Sequence, residues 1–340
     1  MAMMVISVVA GISMALAGFG VYALIVPGIL SMLVFSYDLF VVLKWRPRWT
    51  WSRHTYRDAI HFGLNRMASN AMNSIRKMTE STSITHYFQF SGLGVFGRAE
   101  GLSNMFCARI GQQVMAALYP IITRADPASE RFQKIAGLVL RSVAWVIIPI
   151  AVLFSLEASA ITTILYGDKW NSVIDILPLV MFVGAAQTMG GCIYSLLLAN
   201  EARRQCIRSD VFAMLLIVTC VLLLMPISLK TYLVGASAAH VIIGIVLCTL
   251  LIRTRGVQLT SVLTALLPPL LATALSAGAV ILMRNNIEMP TQIFLQALIA
   301  GTLFGIIYVL VIRQFFRNHL LDLLDYMPAG QLAKKFLVLA

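Results

Sequence analysis

Charge is scarce in this chain of 340 residues: 12% of them are Asp, Glu, Lys or Arg, against about a quarter in soluble domains. Acids are scarcer than bases, 14 against 26. Cysteine is sparse too. Cys107, Cys192, Cys206, Cys220 and Cys248 form no CxxC pair, so neither a metal site nor a disulfide framework is signalled, and they read as small buried hydrophobes. His54, His61, His86, His240 and His319 are scattered without an HExxH-like pair, and no Ser/His/Asp constellation stands at a useful spacing, which leaves no support for a metal or hydrolytic site or for a catalytic residue. No loop between apolar runs exceeds about 25 residues, which excludes a sizeable extramembrane catalytic domain. Met1 opens directly onto MAMMVISVVAGISMALAG, which has no charged start and no cleavage-site pattern and so does not read as a signal peptide.

What the chain does have is apolar length. It is 59% hydrophobic, with a mean hydropathy of +0.86, and must be solvated by lipid. Crossing a hydrocarbon core about 30 Å thick takes about 20 apolar helical residues. Ten such runs lie near 2–17, 20–43, 57–76, 100–121, 135–156, 173–199, 211–229, 231–252, 260–283 and 291–312. Exposed strand edges cannot exist in hydrocarbon, and these runs are too long and uniformly apolar for barrel strands. The fold class is therefore an all-α integral membrane protein with about ten transmembrane helices.

A net charge of +12 would suggest nucleic acid in a soluble domain. Here the bases sit in clusters between apolar runs, as in cytoplasmic loops, and no nucleic-acid partner is expected. If loops alternate sides, one set collects eighteen bases, among them Arg48, Arg131, Arg204, Arg253 and Arg313, and the other five: Arg76, Lys77, Lys169, Lys230 and Arg284. The first set, and with it both termini, is expected in the cytoplasm.

GLGVFG, Gly92 to Gly97, fits the GxGxxG pattern after the strand-like Ile84 to Phe90. It lacks the βαβ context and the acid about 20 positions later that a dinucleotide site needs, so it reads as a Gly-rich turn feeding the next helix. Ionisable groups inside spans weigh more, because burying charge in a bilayer is costly. Arg66, Asn70 and Asn73 share one helical face, with Asn65 close by, and an arginine fork with amides suits a pyrophosphate and sugar hydroxyls. The alternative is that Arg66 pairs with a carboxylate of an adjacent helix or snorkels to the interface. Arg109, about two turns into the next run, and Arg98 at its edge are further cavity candidates, and Arg98 also reads as an interface mark. Asp38 and Asp175 are the acids nearest a span interior and candidates for a coupling ion, although Asp38 also reads as a helix-end residue. Pro27, Pro149, Pro178, Pro268 and Pro269 are expected to kink their helices. Gly301 and Gly305 form a GxxxG that suits close helix packing.

Several strings in order, GFGVYALIVPGIL (Gly18 to Leu30), KWRPRW (Lys44 to Trp49), RDAIHFG (Arg57 to Gly63), LGVFGRA (Leu93 to Ala99), ALYPIITR (Ala117 to Arg124), YGDKW (Tyr166 to Trp170) and LLLANEARR (Leu196 to Arg204), resemble the polysaccharide and O-antigen flippases of the multidrug/oligosaccharidyl-lipid/polysaccharide exporter superfamily. Departures fall at Thr82 to Phe90, where the family usually shows an Asp and glycines, and at Asn200 and Glu201, where Gly is typical.

The resemblance implies two six-helix lobes with a cationic cavity between them. On that register 1–43 are the last two helices of an incomplete N-lobe, 44–56 a basic cytoplasmic linker, 57–252 a six-helix C-lobe, 253–314 a C-terminal helix pair and 315–340 a cytoplasmic tail. Four helices upstream of Met1 are expected to be missing, so an inactive truncated remnant is one reading. The implied function is non-enzymatic translocation of a polyprenyl-pyrophosphate-linked oligosaccharide across a bacterial inner membrane, without a cofactor. Its partners would be membrane lipids and polymerase or export machinery. Other readings are a drug or cation antiporter of the superfamily, or a membrane-embedded polymerase or glycosyltransferase, which would want a longer loop.

The distribution of bases yields a direct test. In a background without the native cysteines, Lys169→Cys should react with an impermeant maleimide added to intact spheroplasts and Arg204→Cys should not. The reverse pattern would sink the topology.

Overall fold

The structure, a computed structural model, describes residues 2–46, 52–126, 129–199, 203–286 and 292–316. Arg48, Asn200, Glu201 and the tail with Arg317, Lys334 and Lys335 lie outside the described residues. The described residues form α-helices with short π and 3-10 turns and contain no strand. Seven of these helices are long and apolar enough to cross a membrane. Many large apolar side chains stay exposed on their flanks, such as Leu222, Leu271, Phe294 and Ile306, which is what lipid as solvent permits. The chain is a multi-pass membrane protein. Two compact units divide it, Met1–Phe62 and Gly63–Ala340, and each is described by itself.

In the first unit α1 (Ala2–Leu16) and α2 (Tyr22–Tyr37) pack on each other, and a π turn, Asp38–Val42, extends α2. The turn between them puts Gly18 at φ 81° and Gly20 at φ 54°, a left-handed backbone that glycine adopts without a Cβ penalty. Pro27 sits inside α2, and its carbonyl accepts from Ser31 Oγ at 2.9 Å and from Ser7 Oγ of α1 at 3.4 Å.

The second unit is built around α5 (Glu130–Leu156), α8 (Leu177–Ala199) and α10 (Leu229–Arg255). Around these three, α9 (Arg203–Leu224) lies against α10, α4 (Arg109–Ile122) against α5 and α8, and α11 (Leu259–Asn286) against α5 and α12 (Ile293–Phe315). Between α5 and α8 run the short α6 (Ala158–Tyr166), a 3-10 turn Asp168–Trp170 and α7 (Asn171–Ile174). Ser129 caps α5 and Ser228 caps α10, each accepting from a backbone N–H three residues on, and this satisfies donors that a helix start leaves free. One fully packed core, with Phe132, Ile147, Met181, Leu196 and Tyr232 among its buried residues, holds α5, α8, α9 and α10 together.

The C-terminal pair is tied to α5 by polar contacts as well as by apolar ones. Tyr308 OH donates to the Trp145 carbonyl at 2.7 Å, and Arg284 donates to Glu157 Oε1 at 2.6 Å and to the Leu156 carbonyl at 3.2 Å.

Helix α3 (Arg53–Ser103) corrects the sequence reading. The strand-like Ile84 to Phe90 and the expected Gly-rich turn at Gly92 to Gly97 are both helical, and no loop separates the runs 57–76 and 100–121. Arg76 and Lys77, expected in a loop, lie within the helix. A π turn, Asn104–Ala108, then leads on to α4. The break in α3 is a single residue, Gln89, at φ 61° and ψ −175°. It falls at none of the prolines. A Cβ on Gly92 would collide with Phe88 Cβ across this break, so the glycine is what lets the helix resume. Polar side chains prevented this helix from reading as one continuous element, because hydropathy drops where they cluster.

Gln89 holds a backbone conformation that is essentially glycine's own and costs about 1–3 kcal/mol for other residues. Gln89→Gly is therefore expected to raise the thermal midpoint of the purified protein, by a gain of about 1 kcal/mol, while Gln89→Ala does not. Equal midpoints for the two variants would show that the break carries no strain.

Candidate functional site

The residues singled out from the sequence occupy three different settings. Arg66, Asn70 and Asn73 are exposed along the first half of α3, and Asn73 Oδ1 accepts from Arg76 Nη2 at 2.7 Å. The side chain of Asn65 lies outside the described ones. Arg109 is exposed at the start of α4, an amphipathic helix that buries Gly111 and Ile122 and leaves Gln112 and Gln113 exposed. Neither Arg66 nor Arg109 has an ion-pair partner among the described residues, and no contact joins them.

Arg98 is held differently. Its guanidinium lies 5.4 Å from the Tyr166 ring centroid and 4.9 Å from that of Trp170, and Tyr166 OH donates to the Arg98 carbonyl at 3.4 Å. Trp170 also lies against Gly94. Two strings that stood far apart in the sequence, LGVFGRA and YGDKW, thus meet as a cation–π clamp, which fixes the second half of α3 to the turn before α7. The structure gives Arg98 an anchoring contact.

The acids proposed for coupling are both exposed. Asp38 starts the π turn after α2, and Asp175 pairs with Lys230 at 3.4 Å with 66% and 58% of their side chains accessible. An exposed pair of this kind contributes about 0–1 kcal/mol. It stands apart from the buried polar groups.

A group of partly buried polar side chains is what the sequence reading missed. Asp210 of α9 accepts at Oδ2 from Ser69 Oγ of α3 at 2.6 Å and from Tyr194 OH of α8 at 2.9 Å. Further along α3, Glu80 Oε1 accepts from Tyr232 OH of α10 at 2.5 Å, in the short range of an O–H donated to a carboxylate. Beside this bond a cavity of about 50 Å³ opens between α3, α8, α9 and α10. Arg76, Lys77, Glu80, Glu100, Gln187, Tyr232 and His240 are among its polar lining residues.

A signal for this network existed in the sequence. Ser69, Asn73, Arg76 and Glu80 recur at helical spacing beside the Arg66, Asn70, Asn73 stripe, so α3 carries one broad polar sector. Its exposed edge was read. Its partly buried edge runs on past residue 76, where the apolar run ends, and Asp210 stands just outside the run near 211–229.

Comparison with known proteins places this arrangement. The model of a family described as polysaccharide biosynthesis protein matches residues 1–175. The succinoglycan biosynthesis transport protein ExoT of Rhizobium meliloti (strain 1021) is 24% identical over 164 residues, 48% of this chain and 33% of that protein. The lipopolysaccharide biosynthesis protein WzxC of Escherichia coli (strain K12) is 22% identical over 182 residues, 50% of this chain and 37% of that one. The matched stretches thus cover only about a third of these relatives' length. Among solved structures, the lipid II flippase MurJ in an inward closed conformation superposes with a TM-score of 0.60 at 14% identity, over 92% of this chain and 66% of that one. That likeness establishes a flippase-like helical fold.

The clamp on Arg98 predicts the effect of removing its platform. Trp170→Ala deletes one cation–π contact, worth about 0.5–1 kcal/mol at an exposed site, and opens the contact at Gly94. It should lower the thermal midpoint, and Arg98→Ala should cost less in the Trp170→Ala background than in the wild type, where it loses the indole contact as well as that to Tyr166. Additive losses would show that the two residues do not act together.

Proposed function

The chain belongs to the polysaccharide biosynthesis protein family, and from that premise we propose that it takes part in moving a polyprenyl-pyrophosphate-linked oligosaccharide across the bacterial inner membrane, making and breaking no covalent bond. The observation that carries the proposal is the set of exposed polar side chains that α3 and α4 of the second unit each present. Arg66, Asn70 and Asn73 on α3 and Arg109 with Gln112 and Gln113 on α4 stay exposed, and the two arginines have no carboxylate partner among the described residues. Unpaired guanidinium groups in a bilayer are costly unless an anion or water meets them. A pyrophosphate takes two-pronged hydrogen bonds from arginine, and amides serve both the donors and the acceptors of sugar hydroxyls.

The relatives' names support the class of cargo: one is a transport protein of succinoglycan biosynthesis, the other a protein of lipopolysaccharide biosynthesis. A cationic face also disfavours cationic cargo. In this reading the base-rich loops and both termini face the cytoplasm, and the lipid tail stays in the bilayer while the polar head crosses along the polar face.

Arg66→Ala and Arg109→Ala should each lower glycan export about tenfold in a flippase-deficient strain producing this protein, because a hydrogen bond to a charged group is worth about 1.5–3 kcal/mol. Membrane insertion should be unchanged, and lysine should restore only part of the export, since a point charge lacks the planar fork. Normal export by both alanine variants would overturn the cationic-face reading. Export of cationic dyes instead of glycan would overturn the cargo.

A further inference from the structure

The cavity beside Glu80 adjoins the exposed stripe through Arg76, which bonds to Asn73 and lines the cavity, but its chemistry is its own. His240 Nδ1 lies 2.8 Å from the Ala236 carbonyl. A carbonyl only accepts, so Nδ1 carries the hydrogen, and the lone pair of the neutral ring is then on Nε2. That Nε2 is fully buried and has no hydrogen-bond partner, in a ring that lines the cavity. Across the same space, Glu80 uses Oε1 to accept from Tyr232. A second carboxylate, Glu100, comes from the far side of the break in α3.

A buried acceptor without a donor is costly, of order 1–3 kcal/mol. A proton, or one water carrying it, meets that need, and a volume of about 50 Å³ holds one water, whose share of liquid is about 30 Å³. The charges around it are balanced. On α3, Arg76 and Lys77 oppose Glu80 and Glu100; α8 offers only the neutral Gln187; α10 offers Tyr232 and His240. From α9, Asp210 is held by Ser69 and Tyr194 and acts on Arg76, while Cys220 lies near Tyr232. One added proton therefore changes the net charge of a nearly neutral, partly buried site, where charge is felt more strongly than in water.

We propose that this cavity is a proton-binding site in which His240 Nε2 and the Glu80 carboxyl share the bound proton, and that protonation changes the Glu80–Tyr232 bond joining α3 to α10. Protonation of the Glu80 carboxyl removes the ionised acceptor of the 2.5 Å phenol bond, so the tie between α3 and α10 weakens, while the proton taken from solvent is held between the carboxyl and His240 Nε2 and no bond between heavy atoms changes. As the energetic input for transport, the site rests on the function proposed above. As a proton site, it does not.

The test is pH-difference infrared spectroscopy on the full chain in phosphatidylcholine vesicles, reading the C=O band of a protonated carboxyl. The wild type should show a titrating band that is absent in Glu80→Gln. In Tyr232→Phe the band should persist at a shifted frequency, and in His240→Gln its midpoint should move by at least about one pH unit. A band that survives in Glu80→Gln, or that vanishes in Glu100→Gln alone, would overturn the assignment. Should Glu80→Gln fail to fold, an unshifted band in Tyr232→Phe and an unmoved midpoint in His240→Gln would do the same. The spectrum reports on the site whether or not the vesicles move a lipid-linked saccharide, so the failure of one proposal is distinguishable from that of the other.

Discussion

Hydrocarbon supplies no hydrogen bonds, and a chain that crosses it must satisfy its polar groups from within or set them where water or a ligand can reach. This constraint makes every described element of the protein helical, and it sorts the polar side chains into two kinds. Some, including Ser142, Ser237 and Ser276, turn back onto the carbonyl four residues earlier on their own helix. Others depend on partners from other helices, and in the second unit Ser69 and Glu80 of α3 take theirs from α8, α9 and α10.

The polar sector of α3 accounts for much of the unit's organisation. Its buried edge is satisfied by Asp210 and Tyr194 at one level and by Tyr232 at another. These are hydrogen bonds between side chains, and a small cavity remains beside them instead of a close apolar seam. The second half of α3 is held by different means, with Arg98 gripped by Tyr166 and Trp170 and Gly94 against the indole. Between the halves lies Gln89 in a conformation suited to glycine. A helix tied by polar bonds on one side of a strained residue and by an aromatic clamp on the other is a joint between two differently anchored parts. Moving charge at Glu80 acts on one of those anchors.

Much of the fold was legible because the relevant signals are local. Apolar length gives spans, and the expected runs near 135–156, 260–283 and 291–312 correspond to α5, α11 and α12 within a few residues at each end. Of the proposed site, Arg66, Asn70, Asn73 and Arg109 are legible as polar residues that interrupt apolar runs, and the structure leaves them exposed. Arg98 was legible as a charge, but its role was not, since Tyr166 and Trp170 stand about 70 positions further on and nothing local links them to it.

The sequence by itself determined that this chain is an all-helical membrane protein of the polysaccharide biosynthesis family, because hydrophobic length and motif order are properties of the chain alone. The tertiary structure decided which polar residues meet. It made one broken helix of two expected spans, since the break is a matter of the backbone angles at Gln89 and the space at Gly92. It also brought Glu80 to Tyr232 across 152 positions and Ser69 to Asp210 across 141. Such pairings depend on how helices rotate and cross, and that is set by the summed packing of α5, α8, α9 and α10 rather than by any short stretch of residues.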